Sequence, residues 1–294
     1  TTNLLVAQEP FDYFEPTAAA IEEALTLASQ ADKVVVALGE TDWMSGEAAS
    51  RSDIRLPEKQ LAVVAQIIEK NPNVVVTVYS GRPLDLQEID VAKGIVQAWQ
   101  PGTEGGNALA EILWGEYNPS GRLSMSFPET VGQVPIFYNV DNTGRPYESA
   151  PEEKYVSKYL DVSNYAKYPF GFGLSYSHFS YQPIQLSALT FTKEQPVTVS
   201  VLVRNDSPIA GEETVQFYVR DLVGQVVRPI KELKDFQKVW LEPKEEKEVQ
   251  FLLSEDMVRY VHSDNQVTSD AGEFIVMIGG NSRDVQTATV TLNE

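Results

Sequence analysis

The sequence predicts two domains of different class in succession, a mainly parallel α/β sandwich domain that is incomplete as it stands and then an all-β sandwich. Three observations carry that prediction. The runs Val34–Leu38 and Val74–Tyr79 are almost wholly apolar, the mark of strands buried in a parallel sheet. Segments with helical periodicity precede and separate them. From about Ser177 onward the period changes to two, in short segments divided by turn residues.

In the first domain, Pro16 to Ala31 reads as a helix with Ile21, Leu25 and Ala28 on one face, and it leads into Val34–Leu38. A polar loop, Gly39 to Leu56, follows. Pro57 suits the first turn of a helix, and Leu61, Val64, Ile67 and Ile68 recur at helical spacing until Asn71-Pro72 stops the run. After Val74–Tyr79 come another helix-compatible stretch, the strand Gly94–Trp99, the glycine-rich turn Pro101–Gly106 and a helix over Asn107–Leu113. Such alternation implies a sheet covered on both faces. Three strands make a thin sheet, so further strands upstream and a partner polypeptide over the exposed sheet edge are expected.

The candidate strands of the second domain are Phe179–Leu186, Val197–Arg204, Thr214–Asp221, Leu233–Leu241, Glu248–Leu253, Phe274–Ile278 and Thr287–Leu292. Val197, Val199, Val201 and Val203 share one face, as do Val249, Phe251 and Leu253. Short strands with turn signals such as Asn205 to Pro208 and Asp270-Ala271-Gly272 indicate a two-sheet sandwich of immunoglobulin or fibronectin type III kind. The implied division is 1–139 for the α/β domain, 140–177 for a tyrosine-rich inter-domain linker and 178–294 for the sandwich.

Composition narrows the chemistry. Lys and Arg number 23 against 42 Asp and Glu, and the net charge of −19 repels phosphate backbones, so nucleic acid is not an expected partner. No apolar stretch is long enough to span a membrane, and Thr1–Gln8 lacks the basic start of a secretion signal. Without cysteine there is neither a disulfide nor a thiolate, and two histidines leave little room for a metal centre or a Ser-His-acid triad. No metal and no cofactor are expected. Carboxylates remain as the plentiful reactive groups.

The loop Gly39–Ile54 follows directly on a strand, and ligand sites of parallel α/β sheets lie outside the carboxyl ends of strands. It gathers Glu40, Asp42, Glu47 and Asp53 around Trp43, with Ser45, Ser50, Arg51 and Ser52 between them. That set suits a sugar: an aromatic ring stacks on a pyranose face, hydroxyls and charges bond its rim, and a carboxyl protonates the leaving oxygen. A solvated loop whose acids cap the next helix has the same composition.

Five further segments bear on the choice: SGEAASRSDIRLP, SGRPLDL (Ser80–Leu86), the run Ala98–Pro128, NTGRPY (Asn142–Tyr147) and YPFGFGLSY (Tyr168–Tyr176). In this order they resemble the C-terminal half of family-three glycoside hydrolases, the β-glucosidase group, and most closely its bacterial periplasmic members. The resemblance implies a retaining exo-β-glycosidase acting on terminal β-linked glucose, in β-glucosides or β-glucan oligosaccharides, outside the cytoplasm in periplasm or medium. It also implies a preceding TIM barrel that carries the Asp nucleophile and most sugar contacts. On this match Glu47 is the general acid/base, and Trp43, Ser45 and Arg51 are candidate substrate contacts. Burial against Trp43 and the barrel would raise the Glu47 pKa towards neutrality, whereas Arg51 would oppose that shift or orient the carboxylate. Glu40 is the rival acid because it sits nearest the strand end. Asp42 and Asp53 share a loop with Glu47 and are poorly placed to face it across a pyranose as nucleophiles. Alone, the chain is expected to be inactive.

The remaining signals read more simply. Pro101–Gly106 is a tight strand-to-helix turn with close backbone packing, since Glu104 within it would repel a phosphate. Tyr168–Tyr176 reads as an inter-domain packing seam, the loop around Tyr147, Tyr155 and Tyr159 as a buttress, and His178 and His262 as packing or surface residues. The competing functional class is a carbohydrate-binding or adhesion module in which the sandwich is the working part and no proton donor is needed.

Overall fold

The computed structural model describes residues 16–293, so Thr1–Gln8, read above for a leader, lies outside the described residues. The chain divides into two compact units. Residues up to Leu113, with Phe127–Val134, form the first; Trp114–Ser126 and the chain from Pro135 form the second.

The first unit is a three-stranded parallel sheet in the order β1-β2-β3, with β1 Val34–Gly39, β2 Val74–Tyr79 and β3 Gly94–Gln97. Helix α1, Ala18–Gln30, is capped by Thr17, whose side chain accepts from the Ala20 amide. Helix α2, Glu58–Lys70, begins after Pro57 and buries Leu61, Val64 and Ile67 on the predicted stripe. It ends where the predicted stop lies, and there the Asn71 amide donates to Ala28 O at 2.9 Å and Ala31 O at 2.7 Å, tying the ends of α1 and α2 together. A third helix, α3, spans Gly105–Trp114. Its start is a close-packed turn as expected, because a Cβ on Gly105 would lie 2.5 Å from the Pro101 ring.

Three expectations for this unit need correction. The stretch between β2 and β3 forms only a one-turn 3-10 helix, Gln87–Ile89. Leu84, Leu86 and Ile89 are all buried there, and Pro83 opposes a continuous helix. The third strand stops at Gln97 because Trp99 takes a left-handed φ of 54° and turns the chain, with its ring edge-on to Phe127 at 5.6 Å. The sheet is not covered on both faces throughout: Val34 and Leu38 of β1 are buried, whereas Ala37 on the opposite face is exposed.

The second unit is the predicted β-sandwich. One sheet has the order β10 (Glu246–Leu253), β7 (Val197–Asn205), β4 (Phe179–Tyr181), with β5 (Gln185–Leu186) also on β7; the other has the order β6 (Thr190–Phe191), β14 (Val285–Leu292), β13 (Gly272–Gly279), β8 (Gly211–Asp221), β9 (Glu232–Leu241). The first candidate strand is split into β4 Phe179–Tyr181 and β5 Gln185–Leu186, with Pro183 in the gap. The short β6 Thr190–Phe191 and the pair β11 Tyr260–Val261 and β12 Val267–Thr268 were not anticipated. The predicted valine stripe of β7 lies in the core, where Phe217 and Phe251 stack between the sheets at 5.0 Å.

The tyrosine-rich segment packs within this second unit. Phe170 stacks on Tyr138 at 4.3 Å, and Leu123 pairs by backbone with Gly171 and Phe172. Together these stretches cover the outer face of β8, so that Thr214, Gln216 and Tyr218 are buried as well as Val215 and Phe217. His262 is buried against Tyr260 at 4.2 Å, and His178 is exposed. No helix among the described residues is long and apolar enough to cross a membrane. No group of three or more metal-ligating side chains is placed to hold an ion among them.

Candidate active site

The loop after β1 leaves the sheet at its carboxyl end. The parallel register pairs Gly39 with Tyr79, so Glu40 emerges beside the loop that follows β2. Gln60 of α2 fixes this exit by bonding both the amide and the carbonyl of Gly39, at 3.0 and 3.1 Å. Past a 3-10 turn at Asp42–Met44 the chain reaches Glu47 and returns through Arg51 to the buried Ile54 and Leu56. There Arg55 bridges to Asp85 of the neighbouring loop.

The four carboxyls of the loop have different surroundings. The Glu40 side chain is 1% exposed; its Oε1 accepts from Arg51 Nη1 at 2.8 Å and lies 2.9 Å from Arg82 Nε, an ion contact too bent for a hydrogen bond. Its Oε2 accepts from the Gly81 amide at 3.2 Å. Asp42 is exposed and caps the Trp43 amide at 3.0 Å. Asp53 is gripped by Arg55, whose hydrogen bonds hold the Asp53 carboxyl down at about 2. Glu47 is exposed and has no hydrogen bond or ion pair among the described residues.

Arg82 links the two loops. Its Nη2 donates to Met44 O at 2.5 Å and Ala49 O at 2.7 Å, the carbonyls on either side of the segment bearing Glu47. Gly46 and Ala48, the direct neighbours of Glu47, have φ of 109° and 60°. For Ala48 that region costs about 1–2 kcal/mol, which the surrounding contacts must offset.

The expected sugar contacts separate. Trp43 is 79% exposed, its ring free for stacking, so it does not bury Glu47; the shielding expected of it is absent from this unit. Ser45 turns inward: a Cβ on Gly81 would fall 1.9 Å from its Oγ. Arg51 places Nη1 on Glu40 and Nη2 on Arg55 O at 2.9 Å, so its guanidinium is directed into the loop. Ser80–Leu86 is one of the segments that carry the family resemblance, but nothing in its local sequence marks Gly81 or Arg82 as part of a site. The available signal was register, since two parallel apolar runs that end side by side bring positions 40 and 82 together.

The model of the glycosyl hydrolase family 3 C-terminal domain matches residues 5–176, more than half the chain. The chain belongs to glycosyl hydrolase family 3. A fibronectin type III-like model matches residues 213–282, in agreement with the sandwich. Among family 3 relatives, the periplasmic beta-glucosidase of Salmonella typhimurium is 40% identical over 275 residues, 93% of this chain and 36% of that protein. The thermostable beta-glucosidase B of Acetivibrio thermocellus is 36% identical over 269 residues, 90% and 35% of the two lengths. A beta-xylosidase of Formosa agariphila is 34% identical over 274 residues, 92% and 37%. The crystal structure of beta-glucosidase from Listeria innocua in complex with glucose superposes with a TM-score of 0.89 at 38% identity, over 96% of this chain and 39% of that one. The chain thus spans little more than a third of the relatives it matches and corresponds to the C-terminal part of family 3 β-glucosidase-like proteins.

Proposed function

We propose that the chain forms the C-terminal portion of a retaining β-glucosidase and that Glu47 is its general acid/base, opposite an Asp nucleophile on an N-terminal TIM barrel. The observation that carries this reading is the sorting of carboxyls on one loop. Glu40, Asp42 and Asp53 are all engaged, and of the four only Glu47 presents a carboxyl without a partner among the described residues, on the loop that leaves the carboxyl end of a parallel strand. Glu47 first gives its proton to the glycosidic oxygen as the bond to the anomeric carbon breaks; it then takes one from the water that releases the glycosyl-enzyme. The bound sugar and the barrel would supply the shielding from water that Trp43 does not. Trp43 is proposed as a stacking surface for the sugar beyond the scissile bond. Arg51 and Ser45 act by shaping the loop. Relatives named for both glucoside and xyloside hydrolysis support a substrate class of β-linked glycosides, with terminal glucose favoured by the majority of names. A periplasmic or secreted location is the reading the Salmonella relative's name supports.

The test is Glu47→Gln in the enzyme joined with its barrel. Hydrolysis of alkyl β-glucosides should fall about 10²–10⁴-fold while glycosylation by dinitrophenyl β-glucoside, which needs no proton, is largely spared. Equal loss on both substrates would remove Glu47 from the acid role. Polysaccharide binding by the chain with no activity under any pairing would favour the binding-module reading.

A further inference from the structure

The loop that presents Glu47 is held from outside itself. Met44 O and Ala49 O, which bracket residues 45–48, both receive the same Arg82 nitrogen. Between them the backbone passes through two left-handed conformations, one on an alanine, and has a single internal backbone hydrogen bond, Ala49 N to Gly46 O at 3.3 Å. Such a segment does not hold its shape by local preference. Arg82 in turn is oriented by Glu40, whose buried carboxylate touches Arg82 Nε and Arg51 Nη1 together. The turn that carries Arg82 is braced at the sheet: Ser80 Oγ donates to Arg82 O at 2.8 Å and accepts from Gln97 Nε2 at 2.9 Å. At Gly81 the two loops come so close to each other that Ser45 Oγ occupies the place of a side chain.

We infer that Arg82, set by Glu40, is a positioning residue for the proton donor: it fixes the two ends of the segment bearing Glu47 and so fixes where the carboxyl is presented. The inference rests on the acid/base reading of Glu47. A planar guanidinium is required because three contacts, two carbonyls and one carboxylate, converge on adjacent nitrogens; a lysine ammonium on a flexible stem cannot span them. Acid catalysis is steep in position, and a displacement near 1 Å costs on the order of 10²-fold in rate.

The experiment compares Arg82→Met, Arg82→Lys and Glu47→Gln in the enzyme containing the barrel, with alkyl and dinitrophenyl β-glucosides as substrates and amide hydrogen exchange of the peptide covering residues 43–50. For Arg82→Met the expected result is a kcat/KM, which reports glycosylation, about 10²-fold lower on the alkyl glucoside and only a few-fold lower on the dinitrophenyl glucoside, whose kcat and KM fall together because Glu47 also serves the release step. Arg82→Lys should fall between Arg82→Met and wild type, and exchange in the 43–50 peptide should quicken about tenfold or more. If Arg82→Met does not fold, Arg82→Lys carries the test through the same ratio between substrates. Equal losses of kcat/KM on the two substrates, or unchanged exchange at 43–50, overturns the inference. If Glu47→Gln itself lacks the leaving-group dependence, the acid/base reading has failed and Arg82's role falls with it. If Glu47→Gln shows the dependence and the Arg82 variants do not, the positioning inference alone is wrong.

Discussion

Glu40→Gln keeps the shape of the buried side chain and removes the charge that faces two guanidinium groups. The carboxylate is 1% exposed, while Arg51 and Arg82 are 19% and 22% exposed. Removing one partner from a buried ion pair costs about 3–5 kcal/mol. Both arginines keep some contact with water, so the lower end, about 3 kcal/mol, applies. With a urea slope of about 1–3 kcal/mol per molar, the midpoint of the first unit should fall by about 1 M or more. Urea titration followed by tryptophan fluorescence reads this, since Trp43 and Trp99 lie in that unit. Glu47→Gln is the comparator; it is exposed and unpaired among the described residues and should stay within about 0.5 kcal/mol of wild type. A Glu40→Gln midpoint indistinguishable from that of Glu47→Gln would refute the assignment of Glu40 as a structural anchor and return it to contention as the proton donor.

Gly171→Ala should destabilise the second unit by about 3 kcal/mol or more: φ is 80° and a Cβ would lie 1.9 Å from Gln216 Oε1. Gln216 cannot yield without losing its bonds to Gly171 O, Gly280 O and the Tyr218 hydroxyl, and a thermal shift worth under about 1 kcal/mol would contradict that packing. The Asp53 carboxyl should titrate at about 2 by carbon-detected NMR and move back towards about 3.9 in Arg55→Met. Since the folded pKa lies below the unfolded one, the pair's contribution is present above about pH 4 and is lost as pH falls towards 2. Asn71→Ala takes the side-chain donor from both the Ala28 and Ala31 carbonyls, leaving Ala28 O its 3.3 Å bond from the Ala31 amide, and should cost about 2 kcal/mol in a denaturation series; a neutral result would mean water replaces the amide.

Much of the fold was legible because burial and periodicity coincide. The Val197 to Val203 stripe and the Leu61, Val64, Ile67 face are in the core as their spacing demands. Polarity misleads where a covering segment comes from elsewhere in the chain. Thr214 and Gln216 look like outward residues of a sandwich strand, and they are buried by stretches around Ser120 and Gly171 that no local pattern connects to β8. The stretch before Ile89 has apolar residues at spacings a helix tolerates, and tertiary packing with Pro83 takes it out of helix. At the site, sequence identified the loop and its acids by composition. It did not assign partners: Arg51, expected beside Glu47, bonds Glu40 instead, and the second arginine on Glu40, Arg82, lies some forty residues downstream, across a helix and a strand.

That separation bears on how portable the site is. A graft of residues 40–55 onto another parallel sheet would carry Glu47, the proposed proton donor, without the arginine proposed to hold it. A working transplant must bring the Ser80-Gly81-Arg82 corner and the Gln97 side chain beneath it, mounted on neighbouring strands at the same stagger. The smallest transferable form of the proposed site is therefore a patch of three adjoining strand ends, discontinuous along the chain.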